Sequence, residues 1–478
     1  MIAQPALMRL AALCLLAAPA FAGPLERLPE SVATALEQAG VPQDAVGIYV
    51  LDASTGTPVL AIGADHGMNP ASVMKLLTTF AALELLGPAY RLRTEAYLDG
   101  ALAVGHLHGD LIIKGHGDPG LTLEALWLFL RDLRHRGLRD IGGNLLLDRT
   151  HFAVDAHDPA LFDNEPLRPY NAGPDALLLN FNSFRLHFVP DAHARSVRIY
   201  SEPPLPQIGI VNRLELGLRN CDHWPDTPAH QDNTLIFEGV FPADCGEKLR
   251  HFRLLSANEY FGTVFRQLWQ ELGGSFAGDV LDGHASDGAA PFAVRESAPV
   301  TDLIRDINKH SSNVMARQLY LALGVAEGPP LTLEKSARAL REWLAGRGLG
   351  MQSLQIDNGS GLSRTARISA RDTGELLLAA WHSPLMPVLV SSLPMAAVDG
   401  TMRRRLAASP VAGQAYVKTG YLKGVRAMAG YLRDVQGRQM ILVFFINHPW
   451  ARHAGAAHDA LMEWVYEGVA HDCCRRGR

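Results

Sequence analysis

Ser72 and Lys75 lie three residues apart, a spacing that sets both side chains on one face of a helix. A serine hydroxyl becomes a nucleophile when a neighbouring base takes its proton, and a desolvated lysine can be that base. Val73, Met74, Leu76 and Leu77 surround Lys75 with apolar side chains, the setting such a shift needs. Ser72 falls in the first helical turn, where free N–H groups favour developing negative charge. Two later triplets extend the set. Ser311-Ser312-Asn313 offers a hydroxyl and an amide, and Lys418-Thr419-Gly420 offers a cation and a hydroxyl. Only seven lysines occur in 478 residues, which makes the last triplet the most specific. A nucleophile, its proton acceptor, a proton shuttle and an anchor for an anionic substrate end are present in chain order. That is acyl-transfer chemistry.

The elements around these residues are legible. Asn69-Pro70 supplies an N-cap and a proline at the first helical position, opening a helix expected to run to Leu86 and stop at Gly87. Helices expected over 302–309 and 314–323 leave Ser311-Ser312-Asn313 on a tight connection, with Ser312 as a candidate N-cap. Lys418-Thr419-Gly420 follows a strand beginning at Ala415, where Gly420 would let a ligand backbone approach closely. Strands at 427–433 and 440–447 continue an antiparallel meander, and the hairpin 46–51/59–62 completes a five-stranded sheet. A C-terminal helix over 458–467 covers it, and 29–39 reads as an amphipathic helix. Ser72 and Ser311 are separated by a long section rich in β-type runs and Gly/Pro/Asp turns, so whole domains are inserted there. The expected division is 23–89 with 251–470 as one discontinuous domain, 90–250 as the insert, and 471–478 as a polar tail.

Residues 1–22 read as a secretory signal peptide: Arg9, an apolar run from Leu10 to Ala18, and Ala20-Phe21-Ala22 as the cleavage site. The run is too short to cross a bilayer, and Leu13 before Cys14 disfavours lipidation. The mature chain is expected in the periplasm without an integral membrane segment. Net charge of −5 and the lack of basic runs, apart from Arg403-Arg404-Arg405 and the tail, exclude a nucleic-acid binder. Export implies oxidising conditions, in which Cys221 and Cys245 should pair across a loop of modest length. The state of Cys473 and Cys474 is open. Nineteen histidines show no zinc-ligand spacing, so His106-x-His108 and His448, His453 and His458 read as surface or turn residues. No metal or cofactor is expected.

The ordered set S-x-x-K, S-x-N, K-T-G is that of serine enzymes acylated by peptide or β-lactam carbonyls. Further blocks carry a closer resemblance: Gly115-His116-Gly117-Asp118-Pro119, Asp148-Arg149-Thr150-His151-Phe152, Asn180-Phe181-Asn182, Asn358 to Arg364, Val398-Asp399-Gly400-Thr401 and Lys418 to Val425. The chain resembles the class C low-molecular-mass penicillin-binding proteins, the D-alanyl-D-alanine carboxypeptidase/endopeptidase family, peptidase family S13. The resemblance covers nearly all of the mature chain. It implies an α/β penicillin-binding, transpeptidase-like domain, its antiparallel five-stranded sheet flanked by helices, with a mainly β insert. It implies peptidoglycan stem peptides ending in D-Ala-D-Ala, and diaminopimelate-type crosslinks, as substrates and β-lactams as inhibitors.

The same resemblance implies Ser72 as acyl-enzyme nucleophile, Lys75 as proton acceptor, Ser311 as relay and Asn313 as an amide-binding group. Lys418 and Thr419 would hold the terminal carboxylate, and the N–H groups of Ser72 and Tyr421 would form the oxyanion hole. Asp148 would bind the ammonium end of a diaminopimelate-type side chain, and Arg364 would contact the same side chain. The alternative for Asp148 is a turn aspartate capping the next segment. Ser312 departs from a frequent aspartate and His116 from a frequent glycine. Two other functions fit less well. A β-lactamase has too short a motif spacing for the insert before Ser311 and would need a Glu-containing deacylation loop that this chain lacks, and a non-catalytic binding module would not need Ser72, Lys75 and Lys418 together.

Overall fold

The computed structural model describes residues 23–468 apart from Arg219. The signal peptide expected at residues 1–22 and the Cys473-Cys474 tail lie outside the described residues. The expected five-stranded antiparallel sheet is present, in the order 415–422, 425–433, 439–447, 46–52, 58–62. N- and C-terminal parts of the chain meet at its centre, where Val46 to Asp52 pairs with Ile446 to Met440.

Both faces of this sheet are buried, and the period-two alternation of strands divides its side chains between them. Tyr49, Leu51, Ile441, Val443 and Phe445 enter a core with Phe80, Ile304 and Leu319 of three helices. Ile48, Val50, Leu442, Phe444 and Ile446 face the other way, against Leu36 of Glu30–Gln38 and Leu461 of Gly455–Glu467. Near-continuous apolar runs follow from burial on both sides. Helix Lys75–Leu85 is the central element of the first core, with nine of its eleven residues buried. An apolar sequence all round had to be covered all round.

The inserted unit has its own core and sheets. A seven-stranded sheet includes Arg93–Ala103, His106–Gly115 and Leu145–Asp148, and it also takes in Val280–Asp282 and Ala293–Glu296. The boundary expected at Arg250 therefore falls inside this unit. Helix Ala257–Glu271 packs Tyr260, Phe261 and Phe265 into the same core as Leu111 and Leu145, and the chain leaves the sheet only at Glu296. Two three-stranded sheets lie between, one of them containing a parallel pair, Gly209–Gly217 with Thr234–Pro242. The expected disulfide Cys221–Cys245 joins residues next to that pair.

Candidate active site

The three signatures converge on one cleft of about 960 Å³, lined by Ser72, Ser311, Asn313, Thr419, Gly420 and Tyr421 among others. The helix bearing Ser72 does not begin as an ideal α-helix. Ala71–Met74 is a 3₁₀ turn that leads into Lys75–Leu85. The Asn69 side chain accepts from Ala71 N–H at 2.9 Å, and Asn69 Nδ2 donates to Ser363 O at 2.9 Å. Asn447, at the end of a central strand, accepts from Asn69 N–H at 2.8 Å and so ties the turn to the sheet. Ala71 takes φ +45°, a strained value for alanine, immediately before Ser72. The Ser72 N–H makes no hydrogen bond among the described residues, leaving it available as a donor into the cleft.

Lys75 is fully buried. Its Nζ lies 2.9 Å from Ser72 Oγ, 2.6 Å from Asn313 Oδ1 and 2.5 Å from Ser360 O. No carboxylate is among these partners. Burial first, then the charges of Lys418 and Arg317, hold the amine well below the usual lysine range. A neutral amine donating two hydrogens to oxygens keeps a lone pair, which can accept the Ser72 proton across the third contact. Ser360 belongs to a block noted in the sequence, but a carbonyl role leaves no mark in residue type. Its loop is fixed from below, where Thr78 Oγ1 donates to Gly359 O at 2.7 Å.

Ser311 ends helix Val300–His310 in the left-handed conformation, φ +58°, and Ser312 caps the next helix through Met315 N–H, as expected. That reversal presents both Ser311 and Asn313 to the cleft. Lys418 Nζ donates to Ser311 Oγ at 2.9 Å and to Thr419 O at 2.7 Å. Burial lowers the Lys418 amine to about 7. Thr419 Oγ1 is 2.7 Å from Thr401 Oγ1, a partner from another noted block. Gly420 serves a closer neighbour than a ligand. A Cβ there would lie 2.8 Å from Pro70 O and 2.9 Å from Ser72 N, so the edge strand touches the nucleophile turn itself.

Asp148 does not join this set. It is fully buried, and its carboxylate accepts from Thr150 N–H, Thr150 Oγ1 and Ala285 N–H at 3.0, 2.6 and 3.0 Å. Lys114 Nζ stands 3.3 Å away. The carboxylate's hydrogen bonds are all internal, the arrangement the capping alternative expects. Arg364 is exposed on the other flank of the Ser72 turn, with its guanidinium 4.3 Å over the Phe162 ring. Phe162 packs there with Ala71, Leu362 and Leu422. His458 is not a surface residue. It is fully buried against Phe444, with ring centroids 4.7 Å apart.

The model of the D-Ala-D-Ala carboxypeptidase 3 (S13) family matches residues 28–467. The chain belongs to that family. A D-alanyl-D-alanine carboxypeptidase from Actinomadura is 27% identical over 463 residues, covering 94% of this chain and 86% of that protein. The carboxypeptidase DacB of Haemophilus influenzae is 26% identical over 389 residues, 80% of each chain. Penicillin binding protein 4 of Haemophilus influenzae shares the fold with a TM-score of 0.74 at 24% identity, covering 90% of this chain and 99% of its own. A predatory peptidoglycan endopeptidase of Bdellovibrio bacteriovorus matches at a TM-score of 0.52 and 16% identity, over 90% and 93%. The S13 match spans both the Ser72 domain and the insert, so the insert is a family feature and not an appended module.

Proposed function

We propose that this S13 chain is a serine D-Ala-D-Ala carboxypeptidase that also opens D-Ala–diaminopimelate crosslinks in peptidoglycan, working in the periplasm through a Ser72 acyl-enzyme. The apolar leader at residues 10–18 supports export, and no described helix is long and apolar enough to cross a membrane. One observation carries the reading: a buried lysine without a carboxylate partner sits 2.9 Å from the serine hydroxyl.

Lys75 Nζ takes the Ser72 proton as Oγ bonds to the carbonyl carbon of the penultimate D-Ala. The Ser72 and Tyr421 N–H groups receive the oxyanion, a contact worth about 10²–10³ in rate per donor. Asn313 Oδ1 faces Lys75, which leaves its Nδ2 to donate to the peptide on the acyl side. Lys418 and Thr419 hold the terminal carboxylate, and binding that anion raises the proton affinity of Lys418. Because Ser311 Oγ accepts from Lys418, it can pass its own hydrogen to the departing amine and take one in return from the Lys418 ammonium. The C–N bond breaks, D-Ala or the amine of a second peptide leaves, and water then hydrolyses the ester to restore Ser72. In a β-lactam the amine stays tethered by its ring, so the ester persists and the enzyme is inhibited.

Mass spectrometry of a crosslinked muropeptide incubated with the enzyme, beside penicillin-labelled enzyme, tests this. Release of D-Ala and of uncrosslinked peptides, with an adduct on Ser72, is the expected result. Stoichiometric binding without release would support a binding module, and rapid release of hydrolysed penicillin a β-lactamase.

A further inference from the structure

The cleft carries more positive charge than the chemistry at Ser72 uses. Arg405 and Arg426 line it together with Thr401 and His458. Strand register places this cluster. Lys418 pairs with Ala429, whose side chain faces the helical core that holds Val73 and Phe80, whereas Thr419 pairs with Met428 and Tyr421 with Arg426, on the opposite face. Arg426 therefore sits across the edge strand from Lys75, on the side of the C-terminal helix.

The carboxylate there pairs with one of the two guanidinium groups only. Arg405 Nη2 donates to Asp459 Oδ1 at 2.5 Å. The half-buried Arg426 side chain has no hydrogen bond or ion pair among the described residues, and its guanidinium rests against Gly455, where a Cβ would come within 2.9 Å of it. Behind them His458 is wholly buried, with the Phe444 backbone carbonyl beside its ring and no side-chain partner for either ring nitrogen. Buried polar groups are rarely left unpaired, so such a group at the back of a cleft marks a place for a polar partner. Burial first, and then Arg405 and Arg426, hold this imidazole neutral, able both to donate and to accept.

We propose that Arg405 and Arg426, backed by His458, form a second anion subsite on the leaving-group side of the scissile bond. It receives a carboxylate beyond the one held at Lys418 and Thr419, so the preferred substrate releases an acidic peptide or amino acid. The inference rests on the reading of Ser72, Lys418 and Thr419 above: once the terminal carboxylate is anchored at Thr419, whatever extends past it meets Arg426. Guanidinium groups suit this role because they bind carboxylates through paired donors.

The test compares acyl-D-Ala-D-Glu with its isostere acyl-D-Ala-D-Gln as substrates for the whole enzyme. The wild-type protein should show kcat/KM about tenfold higher for the D-Glu peptide, the factor a charge-assisted hydrogen bond supplies. That ratio should shrink as salt is raised, and Arg426→Gln should bring it near one. Equal rates for the two peptides in the wild-type enzyme would overturn the subsite, whether or not the variant folds. So would an undiminished ratio in Arg426→Gln. Failure of the function itself looks different: no D-Ala release from acyl-D-Ala-D-Ala and no penicillin adduct on Ser72.

Discussion

Lys75 and Asp148 are equally shut off from solvent, each at 0% exposure, yet one is left poised and the other is satisfied. The oxygens around Lys75 come from a hydroxyl, an amide and a carbonyl, and the charges near it are those of Lys418 and Arg317. Burial and the two neighbouring cations favour the neutral amine, and no carboxylate opposes them. Burial alone would raise the Asp148 carboxyl, but the Thr150 hydroxyl, the Ala285 and Thr150 N–H groups and Lys114 outweigh it and hold the group below the usual range. A buried charge that is fully compensated fixes a structure, and an uncompensated one is available for proton transfer.

Substitutions can break that contrast. Lys75→Ala should lower the rate of Ser72 acylation by about 10³-fold, the scale of a lost general base, with the protein still folded. Stopped-flow acylation by a chromogenic cephalosporin measures it, and a near-normal rate would remove Lys75 as the base. Asp148→Asn should act on stability instead, costing about 3 kcal/mol because the Lys114 cation and two N–H donors lose their anion. Urea unfolding reads this. The folded fraction should process peptides with and without a side-chain ammonium alike, and a selective loss for ammonium-bearing peptides would return Asp148 to the substrate site. Gly420→Ala forces the edge strand off the nucleophile turn and should cost about 10²-fold in acylation, as small misplacements of reacting groups do. Lys418→Ala should be the mildest, raising KM for a peptide carboxylate about tenfold.

The sheet, its covering helices and the three signatures were legible because their patterns are local. Period-two apolar runs, a proline at a helix start and rare lysines in ordered triplets carry their own meaning. The insert was harder. Strands Val280–Asp282 and Ala293–Glu296 are short, half-exposed segments that return to a sheet begun nearly two hundred residues earlier, and no local pattern announces such a partner. The internal bonding of Asp148 was hidden for a related reason. Its residue type and its place at a strand end suit a ligand contact, but Ala285 N–H comes from a distant segment and closes it off. Ser360 acts through a backbone carbonyl, which any residue type supplies. Arg405 read only as part of a short basic triplet, and Arg426 and His458 carried no motif. Only the register of the edge strand and the packing of the C-terminal helix bring them to one cleft.

The pH dependence of benzylpenicillin acylation tests the state of Lys75 most directly. A lysine near its ordinary value of about 10.4 would be protonated at neutral pH, and the rate would climb about tenfold per pH unit up to that value. A Lys75 held well below that range by burial, Lys418 and Arg317 gives up its proton at lower pH, so acylation should lose rate toward acid, where the amine takes up a proton. Above about pH 7 the rate should level or decline as Lys418 loses the charge that holds the drug's carboxylate. A second-order rate constant that peaks or plateaus near neutrality is the expected result. A continued tenfold rise per unit from pH 7 through pH 9 would contradict it and leave Ser72 without its base.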